Sequence, residues 1–144
     1  LNTTSDLGSG GGFPGIIVAI MIKNMKKNIK VTLYEKSHHK SAFLNEVSRK
    51  LNLDTEVIQN DIFGATELNT GTIMARAFKP LPVVLDLVNK NFKGYKNLVL
   101  FMGKTGEQIL EETLKNWEFD FTTKKSITNN DSFLLNINNI KKKF

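Results

Sequence analysis

Cysteine is absent from the 144 residues, which excludes disulfides, thiolate zinc sites and cysteine nucleophiles together. The absence suits a reducing compartment, and a cytoplasmic location is the expectation. Histidine is scarce as well: the two that occur, His38 and His39, have no further His or Cys near them, which argues against a metal site. No apolar stretch approaches the roughly 20 residues that a membrane span needs. The longest, Phe13 to Ile22, is interrupted by Pro14 and Gly15. A glycine-rich loop stands before it, where a signal peptide would carry a basic region. No membrane partner is expected.

What remains is a mixture of 40% hydrophobic and 24% charged residues, the composition of a folded chain with a packed core. The length accommodates one domain, residues 1–144, rather than two, and a monomer is the expectation. A formal charge of +6 favours anionic partners, nucleic acid among them. Lys23, Lys26, Lys27 and Lys30 gather near one helix end and Lys141, Lys142 and Lys143 near the last residue, where both groups offer phosphate contacts. The plain alternative is solvation, and lysines near a helix C-terminus also suit its dipole.

Hydrophobic periodicity gives an alternating order of strands and helices. Leu1 to Leu7 reads as a strand, although Asn2, Thr3, Thr4 and Ser5 replace the apolar run expected at the centre of a sheet. Pro14 opens a helix to about Asn24. A strand follows over 29–34, then a helix capped by Ser37 and a strand over 55–59. The signal is mixed from Asp61 to Gly71. A brief strand at 72–75, a helix introduced by Pro80 and Pro82, and a strand at 97–102 come next. Thr105 and Gln108 have capping-box spacing before another helix. The stretches 117–123 and 133–140 alternate like the arms of a hairpin. The pattern predicts an α/β fold, a mostly parallel sheet covered on both faces, with a C-terminal antiparallel hairpin.

The chemistry gathers at the glycines. Gly8, Gly10 and Gly12 let the backbone bend tightly and approach a ligand closely, and the loop opens into a helix N-terminus that favours negative charge. Glu35, at the end of the next strand, is spaced to accept from two ribose hydroxyls. Loop and acid together indicate a nucleoside. Gly10, Gly12 and Gly15 also match the dinucleotide fingerprint, so an NAD(P)-dependent oxidoreductase is one alternative. Asp6, just before the first glycine, weighs toward S-adenosylmethionine: an acid there can meet the cofactor's amino-acid end, whereas it would repel a pyrophosphate.

The run Asp-Leu-Gly-Ser-Gly-Gly-Gly-Phe-Pro-Gly at 6–15 resembles the first motif of the RsmG family, also called glucose-inhibited division protein B. The likeness extends to Val31-Thr32-Leu33-Tyr34-Glu35, to Phe43-Leu44 with Glu46-Val47, and to Ala75-Arg76-Ala77-Phe78 followed by Pro80-Leu81. It implies a class I S-adenosylmethionine-dependent methyltransferase of Rossmann-like fold that methylates guanine N7 in 16S ribosomal RNA of the small subunit. A helical segment usually precedes the first motif in that family, so a single N-terminally truncated methyltransferase domain is expected, and an inactive RNA-binding fragment is a further alternative.

By the same resemblance Gly8 and Phe13 contact the cofactor, Ile62 and Phe63 lie beside the adenine, and Arg76 positions cofactor or target base. For Phe13, Ile62 and Phe63 the alternative is core packing, and for Arg76 a surface ion pair. Gly103-Lys104 stands where the family has Lys-Gly, and Lys104 is the corresponding RNA contact. Guanine N7 carries a lone pair and no proton, so no general base is required. Glu35→Ala is expected to weaken cofactor binding without harming the fold.

Overall fold

The polar residues of the first strand find partners that the sequence hides. In the computed structural model, which describes residues 2–64, 68–76 and 78–144, β1 (Thr3–Leu7) runs through the middle of the sheet with Thr4, Ser5 and Asp6 buried. The buried Thr70 hydroxyl accepts from Ser5 Oγ at 3.1 Å and bonds the Thr3 and Thr72 carbonyl oxygens. Hydroxyls thus satisfy one another where apolar side chains were expected, as burial of polar groups demands. Leu1 lies outside the described residues.

The remaining elements follow in the alternating order. They are α1 (Gly15–Asn24), β2 (Lys30–Tyr34), α2 (His38–Lys50) and β3 (Thr55–Ile58). After a 3-10 turn at Ile62–Gly64 come β4 (Leu68–Asn69), β5 (Thr72–Arg76), α3 (Leu81–Asn91) and β6 (Phe92–Lys93). The chain continues through β7 (Asn97–Met102), α4 (Gly106–Thr113), β8 (Trp117–Lys125) and β9 (Phe133–Lys142). Among the described residues, β4 and β6 form a short separate pair. The other seven strands make one sheet in the order β3-β2-β1-β5-β7-β9-β8. All pairings are parallel up to β7; β9 then runs antiparallel to both β7 and β8.

Two clusters of buried side chains hold the layers. Ile16, Ala19, Val31, Leu33 and Leu44 join α1 and α2 to β2. Leu81, Leu85 and Val88 of α3 join Ile73, Leu98 and Leu135 in the larger cluster, which Trp117 and Ile137 extend.

Two helix starts contrast instructively. Ser37 is extended (φ −72°, ψ 123°) and its hydroxyl accepts from Lys40 N–H, the geometry an N-cap requires. Thr105 has ψ near 8° and makes no side-chain cap, so the expected capping box is not formed. No helix among the described residues is long and apolar enough to cross a membrane.

Candidate active site

From β1 the chain moves outward to β2 and β3, then returns to place β5 on the other side of β1. The carboxyl ends of β1 and β5 therefore flank the switch point, where a parallel sheet leaves a crevice. The glycine loop follows Leu7 at the end of β1, Glu35 follows β2, and Arg76 is the last residue of β5. Ile62 and Phe63 follow β3 on the same edge. The topology thus brings together most of the residues singled out above.

Asp6 fixes the underside of the loop. Its Oδ2 accepts from Gly15 N–H at 2.9 Å, capping α1, while Oδ1 is buried with no partner among the described residues. Burial pushes its pKa up to about 6, against the lowering pull of the Ser9 hydroxyl and the Gly15 N–H. The residue has no exposed surface, so here it meets the loop and α1 rather than a ligand. The same bond argues against a dinucleotide. The helix N–H that would face a pyrophosphate is already held by a carboxylate.

Glu35 ties the loop to α2: Oε1 accepts from Gly10 N–H at 3.0 Å and Oε2 from Ser37 N–H at 2.7 Å. Each carboxylate oxygen can accept a second bond, so acceptor capacity is left for hydroxyls. The expectation that Glu35→Ala spares the fold needs correcting, because that change strips two backbone donors of their acceptor beside a buried position.

The upper surface of the loop is open. A Cβ on Gly11 would meet nothing within 4 Å, and one on Gly10 would meet only the Gly8 carbonyl at 3.9 Å. Gly10 holds φ +53°, where β-branched residues are strained. Below, a Cβ on Gly8 would strike the Phe78 ring and one on Gly15 would lie 2.5 Å from Asp6 Oδ2. The loop is thus packed on one side and leaves its backbone accessible on the other, as close approach by a ligand requires.

Two cavities border this edge. The smaller, about 210 Å³, is lined by Gly8, Tyr34, Glu35, Ile62, Phe63 and Phe78 among others. The larger, about 900 Å³, lies between β5, α3, β7 and the turn of the β8–β9 hairpin, and Arg76 lines it. Phe78 and Lys79 line both and so form the wall between them. Phe78 stacks on Phe63 with ring centres 6.0 Å apart, and Lys79 Nζ lies 6.0 Å from the Phe63 ring centre.

Other expected residues fall elsewhere. Phe13 is exposed and lines neither cavity. Lys104 lies just beyond β7 on the same edge but outside both linings. Lys23, Lys26 and Lys27 stand at the end of α1 beside the start of β2, at the opposite end of the sheet. Lys23 Nζ there donates to Leu51 O at 2.6 Å, at the C-terminus of α2. Ala77 lies outside the described residues. Sequence reasoning assigned no role to Phe78, Lys79, Lys124 or Lys125. The hairpin pattern was the available signal for the last two, since an antiparallel partner of β7 carries its turn back to the site edge.

The chain matches the family model described as rRNA small subunit methyltransferase G over residues 2–135. It is 69% identical to ribosomal RNA small subunit methyltransferase G of Pelagibacter ubique over 142 residues, which cover 99% of the chain and 67% of that relative. Among solved structures, a SAM dependent methyltransferase from Aquifex aeolicus superposes with a TM-score of 0.69 at 16% identity, covering 94% of this chain and 80% of that one, which shows a shared fold. Coclaurine N-methyltransferase bound to N-methylheliamine and SAH is 26% identical over 72% of this chain and 32% of its own, with a TM-score of 0.58. The class I methyltransferase architecture, the glycine loop with its acidic partners and these matches converge: the chain belongs to the rRNA small subunit methyltransferase G family.

Proposed function

We propose that this chain transfers the methyl group of S-adenosylmethionine to N7 of a guanine in 16S ribosomal RNA, with the smaller cavity as the nucleoside end of the cofactor site. The observation that carries the reading is Glu35, which braces the loop and α2 with one bond to each of its oxygens while lining the cavity. At about 210 Å³ the cavity falls below the roughly 300–1,000 Å³ of complete ligand sites. It therefore suits the nucleoside, and the open backbone at Gly10 and Gly11 suits the remainder.

In this reading Glu35 accepts from the ribose hydroxyls, Ile62 and Phe63 flank the adenine, and Gly8 keeps side chains out of the path between them. Asp6 supports the site through Gly15 and Ser9 rather than by direct contact. When bound, S-adenosylmethionine supplies an electrophilic methyl on a sulfonium centre. The chain's own task is alignment, since N7 has a lone pair and no proton to lose, and correct placement of two reactants is worth roughly 7–11 kcal/mol. Arg76 and the Phe78 wall orient the base on the far side. The reading includes a monomer acting in the cytoplasm, and the formal charge of +6 suits ribosomal RNA as its anionic partner.

Calorimetry with S-adenosylhomocysteine is expected to show saturable binding; its absence in folded protein removes the cofactor site. Incubation with undermethylated small-subunit RNA is expected to yield 7-methylguanosine on nucleoside analysis. A different methylated nucleoside overturns the N7 assignment, and no methylation leaves the inactive RNA-binding reading standing.

A further inference from the structure

The cationic residues of the larger cavity stand on two sides. Arg76 and Lys79 stand on the β5 side, Lys124 and Lys125 on the hairpin side, and among the described residues no Asp or Glu lines it. Among the described residues none of these four cations has an ion pair, and Lys79 alone has a ring contact. Between them the surface is apolar, with Leu81, Leu100, Phe101 and Phe133. Strand pairing places the hairpin beside β7: Met102 pairs with Phe133, Lys125 with Phe133 and Lys124 with Leu134, and Ser126 N–H bonds Ser132 O at 2.9 Å.

Four unpaired cations on two opposed banks would repel one another and hydrating them is all that the free protein offers. A polyanion threaded between the banks removes that repulsion and releases counterions. The apolar floor suits a base face, because stacking on apolar and aromatic side chains tolerates any base while phosphates fix the strand's position. A base inside a duplex cannot reach such a floor, so the strand must present it unstacked.

We propose that the C-terminal hairpin is an RNA clamp: Lys124 and Lys125, facing Arg76 and Lys79 across the cavity, grip the phosphates of a single strand whose unstacked guanosine enters between them. The proposal deepens the methyltransferase reading and rests on it. It moves the RNA contacts from the lysines around the end of α1 to those at the end of β8.

The test measures binding of the full chain to undermethylated small-subunit RNA across a range of salt, for wild type, for Lys124→Ala with Lys125→Ala, and for Lys26→Ala with Lys27→Ala as a control of equal charge loss. The hairpin variant is expected to lose at least about tenfold in RNA affinity, and its salt slope to shrink by about 1.4, from about 0.7 for each single-strand phosphate contact removed. S-adenosylhomocysteine binding and the thermal midpoint are expected to stay at wild-type values, and Lys124→Arg with Lys125→Arg to restore RNA affinity. An unchanged affinity and slope in the hairpin variant overturns the clamp, as does an equal loss in the α1 control, which would mean that net charge alone matters. Wild-type protein that binds no S-adenosylhomocysteine would instead overturn the methyltransferase reading beneath it. The two failures are read on different ligands.

Discussion

Both ends of the sheet carry lysines, and several at each end are used in opposite ways. At the end where the parallel strands begin, four of the cations are occupied: Lys23 bonds the last carbonyl region of α2, Lys143 bonds Leu114 O at the end of α4, Lys30 pairs with Glu56 and Lys142 lies over the Trp117 ring. These contacts quench helix C-terminal carbonyls and pack aliphatic stems. At the end where the strands finish, Arg76, Lys124 and Lys125 have no such partners among the described residues and border a cavity. Charge count did not separate the two groups. Their place relative to strand direction did.

The largest effect expected from breaking this contrast is at the foundation of the site edge. Gly15→Ala would drive a Cβ into Leu33 and to 2.5 Å from Asp6 Oδ2, both fully buried. A loss on the order of 3 kcal/mol is expected from such overpacking, measurable as a fall in the urea midpoint. Gly11→Ala, at the open surface, is the matched control, and an equal loss there would show that the loop is uniformly packed.

An effect of comparable size, with a definite sign, comes from Asp6. Its pKa is raised from 3.8 to about 6 in the folded protein, so the folded state holds the proton more tightly than the unfolded one. This residue's contribution is therefore most favourable below about pH 4, declines as the pH rises through 6, and is constant above, a change on the order of 3 kcal/mol. Asp6→Asn keeps an acceptor for Gly15 N–H and removes the charge. The difference in stability between variant and wild type, followed by urea unfolding from pH 4 to 7, is expected to move in the variant's favour as the pH rises. A flat difference would mean that Asp6 is ionised at no cost.

The smallest effect is expected at the other end. Lys26→Ala with Lys27→Ala should shift the thermal midpoint negligibly, since exposed charges away from partners contribute within about 0.5 kcal/mol. A marked loss would show that these two lysines also hold the fold together.

Most of the architecture was legible because parallel strands and their crossover helices write their periodicity directly into the chain. The loop, Glu35 and Ser37 were legible for the same reason, since each depends on local spacing. What sequence could not supply depended on strand direction and on distant partners. The Thr70 hydroxyl that rescues Ser5 is 65 residues away in the chain. Lys124 reaches the site only because β9 turns antiparallel against β7, and Thr105 had the right neighbours for a cap but the wrong backbone angles. The pairing of Leu68–Asn69 with Phe92–Lys93 was too short to leave any period at all.

Phe78 and Lys79 give the two cavities a common wall, so a ligand that displaces that wall from one side is felt on the other. A ligand on one side that shifts the ring toward the other changes the room available there, and whatever factor the first ligand imposes on the second is returned in full. Cofactor affinity measured with and without RNA is then one number read from two directions.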